Sequence, residues 1–74
     1  MGEKLNVESS NIQAVKYNED DKTLDIWFKH SENTFYRYAD VDFITYSELI
    51  IADSIGGYFF KNVKSAFQFT KMTE

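Results

Sequence analysis

The chain has 74 residues, 43% of them hydrophobic and 18% aromatic, with no cysteine and a formal net charge of -4. That length allows one domain, expected over residues 1–74, whose small core must be filled by aromatic rings, because there are no disulfides to staple it. No apolar run approaches the ~20 residues of a membrane helix, and the acidic balance weighs against a protein that grips a long phosphate backbone.

The start of the chain is polar. Ser9-Ser10-Asn11 is a cluster of short hydrogen-bonding side chains, suited to fixing a turn before a strand. A first strand is expected over 12–17. Its alternation is broken, and a bulge near Ala14 would let Ile12, Val15 and Tyr17 all face inward. Asn18-Glu19-Asp20-Asp21-Lys22 is a polar turn. The second strand, over 23–29, alternates cleanly: Leu24, Ile26 and Phe28 on one face, Asp25, Trp27 and Lys29 on the other.

Next comes Thr34-Phe35-Tyr36-Arg37-Tyr38, with three aromatics and an arginine in five positions. In a strand, Tyr36 and Tyr38 share one face, Phe35 and Arg37 the other. A three-residue loop Ser31-Glu32-Asn33, with Asn33 left-handed, would pair His30 with Thr34, Phe28 with Tyr36 and Ile26 with Tyr38. A slip by one residue would drive Arg37 into the core, so burial selects the face. The outer face then carries Trp27 across from Arg37, beside Lys29 and Phe35. The Tyr36 and Tyr38 hydroxyls need partners if buried, and Ser9, Ser10 or Asn11 could supply them.

Asp40 is a candidate N-cap for a helix over 41–52, with Asp42 near its positive end. This segment is apolar on more than half its circumference, which implies packing on the sheet and on a second element. A second helix is expected over 55–65, with Ile55, Phe59, Val63 and Ala66 as its inner stripe. Phe67-Gln68-Phe69-Thr70 alternates and could form a short fourth strand. The fold class is therefore α+β: a small antiparallel meander of three strands, with that short fourth, packed against two C-terminal helices.

Several of these positions, in this order and spacing, resemble the KTSC domain. They are Val7, Ser9-Ser10-Asn11-Ile12, Ala14-Val15, Tyr17, Thr23-Leu24, Phe28, Tyr36, Tyr38, Val41, Tyr46, Leu49, Ala52, Ser54, Gly57 and Phe60. The likeness covers a core of about 7–69. The KTSC domain is found at the C-terminus of some lysyl-tRNA synthetases and as a free-standing small bacterial or phage protein. The resemblance departs at two points. A glycine usually stands in the turn where this chain has Ser31-Glu32-Asn33, and a proline usually follows Val41 where this chain has Asp42. The association with synthetases implies RNA binding by analogy alone.

No set of nucleophile, base and orienting group is visible, so no enzyme and no catalytic residue is expected. A single histidine, His30, and no cysteine leave no metal or cofactor site in view. Two candidate sites remain. Ser54, Gly56 and Gly57 open a helix, where backbone N–H groups attract anions. Lys61 and Lys64 follow one and two turns on, and Arg37 is expected within reach across the sheet edge. Against this, Ser54 could be a cap and the glycines packing residues. The second candidate is the outer face of Trp27, Phe35 and Arg37: a stacking platform, a contact between copies or with a protein partner, or a face covered by the chain itself. The expected function is a non-catalytic binding module that contacts RNA or a nucleotide. The alternative is a protein-interaction module, phage-derived and oligomeric, using an exposed aromatic sheet face. No cysteine and no signal-peptide pattern make the cytoplasm the expected location.

Overall fold

The structure, a computed structural model, describes residues 3–31 and 33–74. Among these residues the chain forms β1 (Leu5–Asn6), β2 (Ile12–Asn18), β3 (Thr23–Phe28), β4 (Thr34–Tyr38), α1 (Phe43–Ile51), α2 (Ile55–Asn62) and β5 (Phe69–Thr73). The strands make one antiparallel sheet in the order β1-β2-β3-β4-β5. The α+β architecture expected from the sequence is present, with five strands where three or four were expected. β1 has two exposed residues, too few to show a period. The last strand starts at Phe69, two residues later than expected, because the chain is still turning off α2: the N–H groups of Ala66 and Phe67 both donate to the Val63 carbonyl.

The broken alternation of β2 is resolved by a bulge. Ile12 pairs with Phe28, but Ala14 pairs with Trp27, so Gln13 is one residue in excess. Beyond it, Val15 pairs with Ile26 and Tyr17 with Leu24. The bulge keeps Ile12, Val15 and Tyr17 on the helix side and turns Ala14 to the other side. The inner core joins these three to Leu24, Ile26, Tyr38, Val41, Tyr46, Leu49, Ile55, Phe59 and Val63. Aromatic edges knit it: Phe59 meets Phe28 and Tyr38, each at 5.5 Å between centroids, and Tyr17 stacks on Tyr46 at 4.9 Å.

The β3–β4 register differs from the expected one. Ile26 pairs with Tyr36, Asp25 with Arg37 and Leu24 with Tyr38, an offset of two residues. An even offset leaves every side chain on its expected face, so burial could not reveal it. The charge pairing of Asp25 with Arg37 separates the two registers. Asn33 is left-handed at φ 60°, as the expected turn requires, while Glu32 of that loop lies outside the described residues.

Asp40 is not the helix cap. Its φ of 60° places it in the turn after β4, a conformation incompatible with capping. The cap is Asp42, whose carboxylate accepts from the Thr45 N–H at 3.2 Å and from the Thr45 hydroxyl. These bonds hold its pKa below the ordinary carboxylate value. Val41 is pinned at both backbone groups: its N–H donates to the Lys22 carbonyl at 2.9 Å, and its carbonyl accepts from the Tyr17 hydroxyl at 2.6 Å. α2 ends at Asn62, earlier than expected, and Ala66 is exposed rather than part of the inner stripe.

The two helices are tied by the Tyr58 hydroxyl, which donates to the Glu48 carboxylate at 2.7 Å. That bond, more than burial, pushes the Tyr58 pKa up from 10.0 to about 12. A raised pKa means the bond stabilises the fold below pH ~10 and is lost as pH rises through about 12. Denaturant melts of the native chain and Tyr58→Phe should therefore show a stability gap that closes across that window. A gap independent of pH would show that the bond contributes nothing. Tyr38, buried between Phe59 and Phe69, should cost about 3–5 kcal/mol when cut to alanine. A loss below about 1 kcal/mol in the same melts would contradict its place in the core.

Candidate functional site

The two groups of residues singled out in the sequence fall on opposite sides of the sheet. On the outer side, Trp27 and Phe35 are buried, not exposed. Their rings stack at 4.7 Å over Ala14, with Met72 packed against them. The Lys4 ammonium lies 4.3 Å from the Trp27 ring centroid, and the Trp27 indole N–H donates to the Glu74 carboxylate at 2.9 Å. The chain thus covers this face with residues from β5 and from near its start. The exposed aromatic face expected for a partner is not there. Among the readings weighed for these residues, the geometry is that of self-cover.

Arg37 lies on the same outer side. Its Nε and Nη2 donate to the two Asp25 carboxylate oxygens at 2.8 and 3.0 Å, a two-point grip that fixes its plane. The Arg37 side chain is 41% exposed and that of Asp25 only 5%. The bond to Asp25 raises the guanidinium pKa above its already high ordinary value. Arg37 is therefore committed to a buried carboxylate, across the sheet from the helices. Contrary to the expectation from the sequence, it does not join the residues at the start of α2.

On the helix side, a cleft of about 510 Å³ opens between α2 and the ends of β2, β3 and β4. Its polar wall is Ser10, Asn11, His30, Ser54 and Lys64; its apolar wall is Ile12, Phe28, Tyr38, Phe59 and Phe60, with Gly56 and Gly57 between. Four of the residues expected at an anion site, Ser54, Gly56, Gly57 and Lys64, are brought together here. Lys61 is exposed on α2 and is not among the lining residues.

Local chemistry explains the shape. Ser54 is the cap of α2: its hydroxyl accepts from the Gly57 N–H at 3.1 Å, and its carbonyl accepts from the Tyr58 N–H at 2.9 Å. One N–H that could have met an anion is thus spent within the chain. A Cβ on Gly57 would stand 3.0 Å from that Ser54 oxygen, and one on Gly56 would stand 3.3 Å from the Ser9 hydroxyl. Gly56 lets α2 close on the 9–11 turn, and Gly57 leaves room for the Ser54 cap. The Ser9 hydroxyl itself accepts from the N–H groups of Asn11 and Ile12 at 3.3 and 3.2 Å. It serves its own turn rather than the Tyr36 or Tyr38 hydroxyl. The Asn11 carbonyl then accepts from the Lys29 N–H at 2.8 Å, fixing the turn to the end of β3. Burial pushes the Tyr38 phenol pKa up, and Tyr38 is among the residues that line the cleft. At the mouth, Phe60 is exposed and the Lys64 ammonium sits 4.4 Å from its ring centroid.

Ser10, Asn11, Ile12, Phe28, His30, Tyr38, Phe59 and Phe60 line the cleft but were not expected at this site. His30 follows the end of β3, and Phe28 packs against the inner core. A usable signal was present in the positions that resemble the KTSC domain. Ser10, Asn11, Ile12, Phe28, Tyr38, Ser54, Gly57 and Phe60 are all among them, and all line the cleft. Among the described residues no group of three or more His, Cys, Asp or Glu side chains could hold a metal ion, and no helix is long and apolar enough to cross a membrane.

Comparison with known proteins agrees with this geometry. No curated protein matches the sequence. Among solved structures, a KTSC domain protein from Yersinia pestis superimposes with a TM-score of 0.90 at 26% identity, covering 97% of this chain and 99% of that one. The family model for the KTSC domain matches residues 8–67, and the chain belongs to the KTSC domain family.

Proposed function

We propose that this domain is a non-catalytic binding module that holds a nucleotide or a short stretch of single-stranded RNA in the cleft beside α2. The observation that supports this most is that eight of the twenty family-resembling positions line one hollow that pairs an aromatic wall with polar groups and a cation. A base can stack on Phe60, displacing the Lys64 ammonium from that ring toward a phosphate. Ser10, Asn11 and His30 offer hydrogen-bonding groups to the base edge or the ribose. The lining residues include no carboxylate to orient His30 or to activate a serine, which favours binding over catalysis. The acidic net charge of -4 suits a short footprint, since few phosphates could be neutralised. On this reading the domain works in the cytoplasm, with RNA or a nucleotide as its partner.

Titration with mononucleotides, dinucleotides and a short RNA at low salt, followed by backbone amide shifts, tests the proposal. Shifts are expected at residues 10–12, 28–30 and 54–64. The affinity should fall with salt at a logarithmic slope of roughly -1 to -2. Lys64→Ala should weaken binding by a similar factor for all sequences, since a phosphate contact carries no base identity. Lys61→Ala, outside the cleft, should change it by less than about twofold. Absence of shifts around the cleft at low salt would overturn the reading.

A further inference from the structure

The outer face of α1 holds a surplus of hydrocarbon that the fold does not use. Tyr46 and Leu49 face the core, yet Phe43 is 54% exposed, Ile44 64% and Ile51 78%, with Ile50 beside them at 36%. On a helix, Ile44, Ser47 and Ile51 fall in one line at spacings of three and four, flanked by Phe43 and Ile50. The Ser47 hydroxyl donates to the Ile44 carbonyl at 2.8 Å, so this small residue turns its polarity back into its own helix. The result is an apolar stripe with a shallow centre, the shape that accepts a second helix. Its four large side chains leave on the order of 400 Å² of hydrocarbon in water, a size that marks interaction sites on single-domain proteins.

The rim identifies the occupant. α1 carries no basic residue; Asp42 stands at one end, Glu48 on the flank and Asp53 just past the other end. Beside Phe43 and Ile44 a hollow of about 500 Å³ brings Glu19, Asp20 and Asp42 against a single Lys22. A second copy of this chain would bring the acids at the ends and flank of the stripe against the same acids, in either direction of packing and with only Lys22 at one end to offset them, between two molecules that each carry -4. An anionic membrane meets the same repulsion. We propose that the outer face of α1 docks an amphipathic helix of a partner protein whose apolar stripe is bordered by Lys and Arg.

The test uses two synthetic helical peptides of about 15 residues, each with leucines at spacings of three and four. One has lysines bordering the stripe; in its twin every lysine is replaced by glutamate. The lysine peptide should bind and shift the amides of Phe43 to Ile51. The glutamate twin should bind at least about tenfold more weakly. Ile44→Ser with Ile51→Ser removes only exposed side chains, so folding should persist while peptide affinity falls by about tenfold or more. Lys64→Ala, in the cleft, should leave peptide binding unchanged, which separates this surface from that site. Equal binding of the two peptides, binding of neither, binding only to phosphatidylglycerol vesicles, or a dimer of the chain alone that Ile51→Ser abolishes would each overturn the proposal.

Discussion

One extra residue in β2 governs the arrangement of everything else. Without the bulge at Gln13, a regular strand could not turn both Ile12 and Tyr17 toward the helices, because side chains alternate. Ile12 lies under α2 and forms the floor of the cleft. Tyr17 lies under α1, stacks on Tyr46 and holds the Val41 carbonyl. The bulge therefore supports both helices from one strand. It also sends Ala14 outward, where only a small side chain leaves room for the Trp27–Phe35 stack. Its own carbonyl is not orphaned, since Gln13 accepts from the Val7 N–H at 3.1 Å, as a backbone group in a tight sheet must.

The chain is built around two unequal cores on the two faces of its sheet. The inner one is large and aromatic-edged; the outer one is small and closed by Lys4, Met72 and Glu74. The outer face also holds the Asp25–Arg37 pair. Burying a carboxylate is costly unless it is paired in good geometry, and two parallel bonds at 2.8 and 3.0 Å meet that condition. A pair of this kind adds little net stability but penalises other registers, since any slip of β3 against β4 leaves the Asp25 charge buried and alone. The polar constraint thus fixes what the apolar pattern leaves degenerate.

That degeneracy explains what was legible in the sequence. The faces of β3 and β4 could be read, because Leu24, Ile26 and Phe28 alternate with Asp25, Trp27 and Lys29 and a one-residue slip would bury Arg37. The register could not, because a shift by two preserves every face. Asp40 and Asp42 are equally good caps by residue type, and only the left-handed backbone at Asp40 decides between them. The cover over Trp27 depends on β5 and on Lys4, far away in the chain, and no local pattern records it. At the cleft, Ser54, Gly56, Gly57 and Lys64 could be named from their helix-start spacing. Phe28 was marked only by its place among the positions that resemble the KTSC domain, and no spacing or motif marked His30. The apolar circumference of α1 implied contact with both the sheet and a second element, and α1 does touch both, through its inner residues and the Tyr58–Glu48 bond; what the pattern did not show is that Phe43, Ile44, Ile50 and Ile51 would still face water.

The single tryptophan stands in the smaller core and outside the larger one. Its indole touches an ammonium, a carboxylate and the Phe35 ring, all on the sheet face away from the helices. Its emission is thus a local optical reporter of whether the last strand is seated. The far-ultraviolet helical signal reports on the opposite face. The two spectroscopic channels coincide only when the sheet transmits the loss of one core to the other. Cooperativity between the layers of this small domain can therefore be read without introducing any label.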